Sequence, residues 1–598
     1  MKLHPDEERF DFLPVHGHPP RQRLLRPTAG LGANLLALLM SSAGAAPIDA
    51  GVLLETIKPP SNPPVKPPEN LIQVPEAPRP AMTDVQGMHT HIAHVRFTGV
   101  SAFPDAVLQA VVADQLGKEL GFQELEAMAA RVTKYYRDRG FLVARAYLPE
   151  QKIADQSIEI MVLEGKMGQV TIHYRSPGPK ISDEVMRNLV FGSAAAGSTI
   201  EVPKLERAML FENELPNLAA TASMVPGASV GTSDLVLEAN QLGRFYHDQL
   251  TADNDGNKYN GAVRLGGNFN VASLAGLGDQ LSAQLLTSVD GFNYERLAWT
   301  FPAGGSGLKL GASEAYTDYT LGGPYEQAGL HGNAATGSLF AVYPYVRTRF
   351  FNLYQTVTLE AKHLVNKATA GTISNNQVRD ASLGINGDET DNWQGGGLSN
   401  FSATLTEGHV NLAEAPANAS ADAQTAKTAG YYGKVMLQAM RQQSLTKSLV
   451  LYGQITAQYS NKNLDSSESM VFGGPTAVRA YPVGEAPSDE GQLITLELRY
   501  NMAAPADLGS LQWLAFYDHG ALRQHHTAWA SFTQSGLPND YALVGKGLGV
   551  NLYKENDYML SGTVAWKMGS NPNPGKNGVD ADGSTASSRI WVQLVKFL

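Results

Sequence analysis

The 598-residue sequence contains no cysteine. That excludes a disulfide framework, a thiolate zinc site, an iron–sulfur cluster and a cysteine nucleophile. Charge is also sparse, at 17% of residues against roughly 25% in a typical soluble domain. The 46 basic residues are outnumbered by 57 acidic ones, so a phosphate-binding surface is not expected and no nucleic-acid partner is implied. Beyond the N-terminal region no stretch reaches about 18 uncharged apolar residues, so no helical membrane anchor is expected there.

What is present is unevenly placed. All 6 Trp and 19 of the 23 Tyr lie beyond residue 242. Amphipathic rings gathered in one region suit a membrane interface. Near the start, Arg21, Arg23 and Arg26 precede an apolar run from Ala29 to Met40, and small residues follow. This reads as a secretory signal over residues 1–45, with Ala43 and Ala45 at the cleavage site. Residues 46–58 carry a short helical pattern, with Leu53, Leu54 and Ile57 on one face. Proline then takes 9 of the 22 positions from Pro59 to Pro80. Residues 59–89 are therefore expected to be an extended spacer outside any core.

Residues 90–165 and 166–242 each read as a small α+β module of order β-α-α-β-β. In the first, Leu125, Met128, Ala129, Val132, Tyr135 and Tyr136 share a helical face, and Gly140 ends that helix. From 243 to 598 helical periodicity disappears and strands alternate. Ile494, Leu496, Leu498 and Tyr500 oppose Thr495, Glu497 and Arg499. In lipid every backbone polar group needs a partner, so strands can span only as a closed barrel. At about 22 residues per strand and connection, some 16 antiparallel strands fit. Arg589–Leu598 suits the closing strand, with Trp591, Val595 and Phe597 on one face.

Other constellations have plainer readings. His89, His91 and His94 lack a carboxylate cluster and read as a strand edge, and His525-His526 as external loop. Gly227-Ala228-Ser229-Val230-Gly231 joins two strands, whereas a nucleophile elbow needs a helix after it. Gly545-Lys546-Gly547-Leu548-Gly549 reads as a closely packed strand. Glu414–Ala429 reads as a flexible external loop.

Several segments together resemble the two-partner secretion transporters, the ShlB/FhaC/HecB haemolysin secretion/activation family, with polypeptide-transport-associated (POTRA) domains. Asp253–Gly261 and Gly276-Leu277-Gly278-Asp279-Gln280-Leu281 resemble that family's first barrel hairpins. Gly140–Pro149 and Val162-Leu163-Glu164-Gly165 resemble its first POTRA domain, and Leu215-Pro216-Asn217 with Val225-Pro226-Gly227 its second. Gly473–Glu485 contains Val478-Arg479-Ala480-Tyr481, similar to the V-R-G-Y motif of a loop that folds into the barrel. Phe516-Tyr517-Asp518-His519-Gly520 matches the F-x-D-x-G motif of a later strand. Ala480 stands where the motif has glycine, which would be strained if the site required φ > 0.

The resemblance implies an outer-membrane porin-like barrel with POTRA modules in the periplasm. These would bind an unfolded adhesin- or haemolysin-type exoprotein through its N-terminal secretion domain, in type V secretion. It implies no enzyme activity and no catalytic, cofactor or metal site. The short helix would plug the pore. Arg479 in the lumen loop would pair with Asp518 on the wall, flanked by Phe516 and Gly520. Alternation independently puts Asp518 inward and Tyr517 outward, and a carboxylate accepts a guanidinium fork that lysine cannot reproduce. Implied partners are the exoprotein, outer-membrane lipid, and the barrel assembly machinery and periplasmic chaperones during biogenesis. The rival readings are an outer-membrane protein assembly factor of the same superfamily and, further off, a passive porin.

Overall fold

Strand alternation leaves one question open: whether the apolar face is buried, as in a soluble sandwich, or turned outward. In the computed structural model it is turned outward. Leu451, Ile455, Tyr459, Leu496, Leu498 and Tyr500 are exposed, while Gln458, Glu497 and Asp518 behind them are buried. The structure describes residues 49–57, 71–73, 89–175, 180–242, 248–503, 505, 507–574 and 578–598. The proposed export signal with Ala43 and Ala45, and most of the Pro-rich segment, lie outside these residues.

Among the described residues sixteen strands form a closed barrel, from Gln249–Asp253 to Ser588–Phe597. These two close it antiparallel, with Thr251 opposite Val595. Closure leaves no unpaired edge, as the bilayer requires. In the closing strand Trp591 and Val595 do share a face, but it is the inner one. Ile590, Val592 and Leu594 face out.

The first module has a sheet ordered His94–Thr98, Ser157–Leu163, Arg145–Tyr147. It packs under helices Asp105–Val112 and Phe122–Arg137. The longer helix buries Leu125, Met128, Ala129, Val132 and Tyr136 as its apolar stripe, while Tyr135, expected on the same face, is only partly buried at its edge. Gly140, at φ +93, follows it in the left-handed region that favours glycine. Glu164 ties the module together. It accepts hydrogen bonds from Ser101 N (2.7 Å), Ala102 N (2.8 Å) and the Tyr136 hydroxyl (2.9 Å).

The second module contains helices Asp183–Ser193 and Val202–Glu212 and a four-stranded sheet. One of those strands corrects the reading of the Pro-rich segment as spacer alone. Leu71 is fully buried in the module's core. Ile72–Gln73 pairs parallel with Leu218–Pro226, ahead of Thr232–Gln241 and Lys166–Arg175. Proline removes ladder donors, but Leu71-Ile72-Gln73 contains none and is apolar enough to dock.

Ion pairs fasten this module to one rim of the barrel. Glu214 accepts from Lys309 (2.8 Å) and from Arg347, and Glu206 pairs with Arg349 (2.8 Å). Arg207 donates to the carbonyl of Pro344 at 2.9 Å.

Candidate functional site

The connection between strands Leu449–Ser460 and Glu490–Ala503 does not stay outside. Its residues Phe472, Val478, Ala480 and Tyr481 are buried, clustered with Leu493, Leu514 and Phe516 of the barrel wall. Two wall glycines make room for the tip. A Cβ at Gly520 would lie 2.7 Å from the Phe472 ring, and one at Gly545 would lie 2.9 Å from Ala480 Cβ. Ala480 is not in the left-handed region, so alanine is unstrained there and its methyl fills the space that Gly545 leaves.

Register sets the partners of Arg479. Strand Ser510–Arg523 pairs with Glu490–Ala503 so that Asp518 lies opposite Thr495 and Phe516 opposite Glu497. The guanidinium donates a fork to Asp518, Nε to Oδ2 at 2.9 Å and Nη2 to Oδ1 at 2.8 Å. The Arg479 backbone N–H adds a bond to Oδ2 at 3.1 Å. Its third face meets Glu497, Nη1 to Oε1 at 2.7 Å. The guanidinium carbon lies 3.5 Å from the centroid of the Phe516 ring, a cation–π contact. Trp591 Nε1 donates to the Arg479 carbonyl at 2.8 Å. The residues singled out by sequence, Val478, Arg479, Ala480, Tyr481, Phe516, Asp518 and Gly520, thus meet in one place.

Glu497 and Trp591 belong to the same site and were visible beforehand only as members of a strand face. Glu497 is also held by Arg499, Nη2 to Oε2 at 2.7 Å. Two cations and two carboxylates therefore balance inside the wall, which a buried charge requires.

A second ionic cluster fixes the loop where it enters. Glu468, 2% exposed, accepts from Lys362 at 2.6 Å and Lys434 at 2.9 Å on the inner wall, Lys434 lying in register with Ser460 where the loop leaves its strand. Sequence reasoning missed it, since Lys362, Lys434 and Glu468 lie on three separate segments with no shared motif.

Against this entry point rests helix Ala50–Thr56. Asp49 caps it, accepting from Val52 N at 2.9 Å, and its other oxygen accepts from Ser466 Oγ at 2.8 Å. Ala50 N donates to Asn366 Oδ1 of the wall at 3.1 Å. Gly51 permits the approach, because a Cβ there would lie 2.3 Å from Ser466 Oγ and 2.5 Å from Ser467 N. Ala50, Val52 and Leu53 pack against inner-wall residues including Tyr319, Leu364 and Tyr432.

The external stretch expected to be flexible instead forms a helix, Pro416–Gln424. Asp422 anchors it by accepting from Thr428 N and Ala429 N at 2.8 and 3.1 Å. Asn463 of the inward loop donates to the Ala426 carbonyl at 2.7 Å, tying the two loops together.

A closed barrel with its lumen filled by a loop and a helix, preceded by two α+β modules, defines the class: an outer-membrane transport barrel with a POTRA region. Residues 90–165 match the ShlB-type POTRA domain, and residues 231–552 match the haemolysin secretion/activation protein ShlB/FhaC/HecB. The second match covers more than half of the chain, which belongs to that family, the transporters of two-partner secretion. The chain is 27% identical over 501 residues to the heme/hemopexin transporter protein HuxB of Haemophilus influenzae, covering 82% of this chain and 85% of that one. It is 25% identical over 476 residues to the outer membrane transporter CdiB of Dickeya dadantii strain 3937, covering 76% and 80%. The solved structure of CdiB from Escherichia coli superposes with a TM-score of 0.67 at 17% identity, over 87% of this chain and 93% of that one. CdiB from Acinetobacter baumannii gives 0.60 at 16% identity, over 88% and 94%. Transporters of this family work with a secreted exoprotein partner.

Proposed function

We propose that this transporter moves an unfolded adhesin- or haemolysin-type exoprotein through its barrel, using no chemistry of its own. Residues 90–165 and 166–242 receive the client's N-terminal secretion domain in the periplasm. The Arg479 loop and the Ala50–Thr56 helix close the lumen until the client arrives. Residues 1–45 are an export signal removed after Ala45, and chaperones and the assembly machinery deliver the chain to the membrane.

The observation that supports this reading best is the nature of the closure. The lumen is filled by a loop and a helix joined to the wall mainly by side-chain bonds, which can part and re-form while the barrel's backbone ladder stays intact. Recognition by sheet edges suits an unfolded client, since main-chain hydrogen bonds demand little of its sequence.

Deletion of residues 90–165 tests the reading. Exoprotein should vanish from the medium while the barrel remains heat-modifiable in gels. Normal secretion from that deletion would remove the first module from the mechanism.

A further inference from the structure

Alternation gives every barrel strand a lipid face, and one of these faces carries a lysine well inside its strand. Lys546, on strand Asp540–Lys554, is exposed between the outward positions Val544 and Leu548. Register sets it beside Tyr517 of strand Ser510–Arg523 on one side and Trp566 of strand Tyr558–Lys567 on the other. Both rings are exposed. His519 stacks next to Tyr517, with ring centroids 6.5 Å apart. A lysine facing hydrocarbon is expensive at mid-depth and cheap only where its stem can carry the ammonium to the interface. The outward aromatics show which depth this is. Tyr500, Trp513 and Tyr553 mark a girdle toward the rim that holds the second module, and Tyr459, Tyr517 and Trp566 mark the opposite one. Since the modules are periplasmic in this family, Lys546 sits in the girdle of the outer leaflet.

Nothing on this face neutralises the charge. Lys546, Tyr517 and Trp566 make no side-chain hydrogen bond or ion pair among the described residues. By contrast, the indoles of Trp299 and Trp591 donate to Asp279 at 3.0 Å and to the Arg479 carbonyl at 2.8 Å. The outward carboxylates of this group of strands, Glu490 and Asp540, stand at the rim and are already engaged. His526 meets Glu490 at 2.6 Å, and Arg523 meets Asp540 at 2.8 Å. An ammonium, a phenol and an indole N–H therefore lie side by side with no acid competing for them.

We propose that Lys546, Tyr517 and Trp566 bind the phosphate of an outer-leaflet glycolipid. A phosphorylated glycolipid anchored in that leaflet presents its phosphate at this depth, with its acyl chains along Leu548, Val550 and Trp513 below. Lys546 supplies the charge. The Tyr517 hydroxyl and the Trp566 Nε1–H donate to the remaining phosphate oxygens. The site backs directly onto the seat of the inward loop. Gly545 and Gly547 flank Lys546 and turn toward the lumen. A Cβ at Gly545 would lie 2.9 Å from Ala480, and one at Gly547 would strike the Phe516 ring. One strand's thickness thus separates the headgroup from the loop tip.

The test uses the full chain in intact cells and does not read secretion. A photo-crosslinking amino acid in place of Val544, one outward position nearer the rim, should capture lipid A, identified on the barrel by antibody and by mass. Lys546→Leu suits a lipid face and should leave the barrel heat-modifiable, yet it should lower the adduct about tenfold by removing the charge-assisted contact. Lys546→Arg should restore the adduct. Lys546→Gln removes the same charge if leucine disturbs assembly. The probe at Val550, outward on the module side of the strand, should capture none. Purified protein in phosphatidylcholine vesicles doped with lipid A should repeat the Lys546 dependence. Dephosphorylated lipid A should be captured no better by wild type than by Lys546→Leu. No adduct at Val544, an adduct unchanged by Lys546→Leu and Lys546→Gln, or equal capture of the dephosphorylated lipid would overturn the site and leave Lys546 as a snorkelling side chain. Equal capture at Val550 would overturn its depth.

Discussion

At the scale of single residues, the centre of the molecule is one arginine shared by two carboxylates. Lysine cannot supply the fork to Asp518 together with a third bond to Glu497, so Arg479→Lys should fail to secrete nearly as fully as Arg479→Ala. Secreted exoprotein, normalised to folded barrel, measures this. Asp518 was legible because alternation turns it inward two residues from Phe516. Glu497 showed only as one polar side chain in a strand. Its meeting with Arg479 depends on inter-strand register and the loop path, and local alternation specifies neither. The doubt over Ala480 came from the motif alone and vanished once its backbone proved to be right-handed or extended.

A second residue carries a prediction about pH. Glu212, 0% exposed in the second module, has no hydrogen-bond partner for either carboxylate oxygen among the described residues. Burial pushes its pKa well above the ordinary carboxylate value. A carboxyl raised in the folded state costs nothing extra below its unfolded pKa, and its penalty grows as pH rises from there toward the folded pKa. Glu212→Met should therefore protect this module from proteolysis, with a margin over wild type that widens from pH 5 to pH 8. A constant margin would mean that Glu212 does not titrate in the folded module. Glu164 in the first module is the opposite case. Burial would raise it, but hydrogen bonds from Ser101, Ala102 and Tyr136 outweigh that and hold its pKa low. Its contribution is present above the unfolded pKa and is lost as pH falls through the folded one.

At the scale of elements, the inward loop is clamped twice, by Glu468 where it enters and by Arg479 near its tip. Removing one partner of a buried ion pair typically costs about 3–5 kcal/mol. Glu468→Gln keeps the shape but removes the charge facing Lys362 and Lys434. It should raise the open-channel conductance in planar bilayers at least several-fold, because the loop and the Asp49–Ser466 contact lose their seat together. Gly51→Val attacks the same seat from the helix side and should do likewise. Unchanged conductance in both would mean that the helix does not limit the pore. The helices and most strands of the modules were legible from periodicity, to within a few residues at their ends, but the strand Lys118–Gly121, which lies between the first module's helices and pairs with His89–Ile92, was not. Nor was Ile72–Gln73. A two-residue strand has no period, and the surrounding proline dominates the composition. Pro416–Gln424 was missed for a related reason: its Ala-rich sequence has no apolar stripe, and it is held by the hydrogen bonds of Asp422 with Ala419 packed against the apolar lumen cluster.

At the scale of the whole molecule, barrel and second module are joined by few but well-placed charges. Glu214 faces both Lys309 and Arg347, so Glu214→Ala strands two cations at once. It should loosen the module, seen as faster hydrogen exchange across 202–226, with the barrel's own heat-modifiability unchanged. The barrel itself was readable because sixteen strands repeat one alternation. The docking of the module was not, since it depends on where the turns at 303–308 and 348–350 fall in space.

Arg479 and Asp518, joined by the guanidinium fork, are proposed to act as one unit holding the loop inside the lumen. Truncating either strands the other, at a cost of about 2–5 kcal/mol in a desolvated setting. The direct measurement is a double-mutant cycle on secretion, with Arg479→Ala, Asp518→Ala and both together, each normalised to heat-modifiable barrel. Each single change should reduce secreted exoprotein sharply, and the double variant should be scarcely worse than either. Additive losses, or wild-type secretion from Arg479→Ala, would contradict the claim.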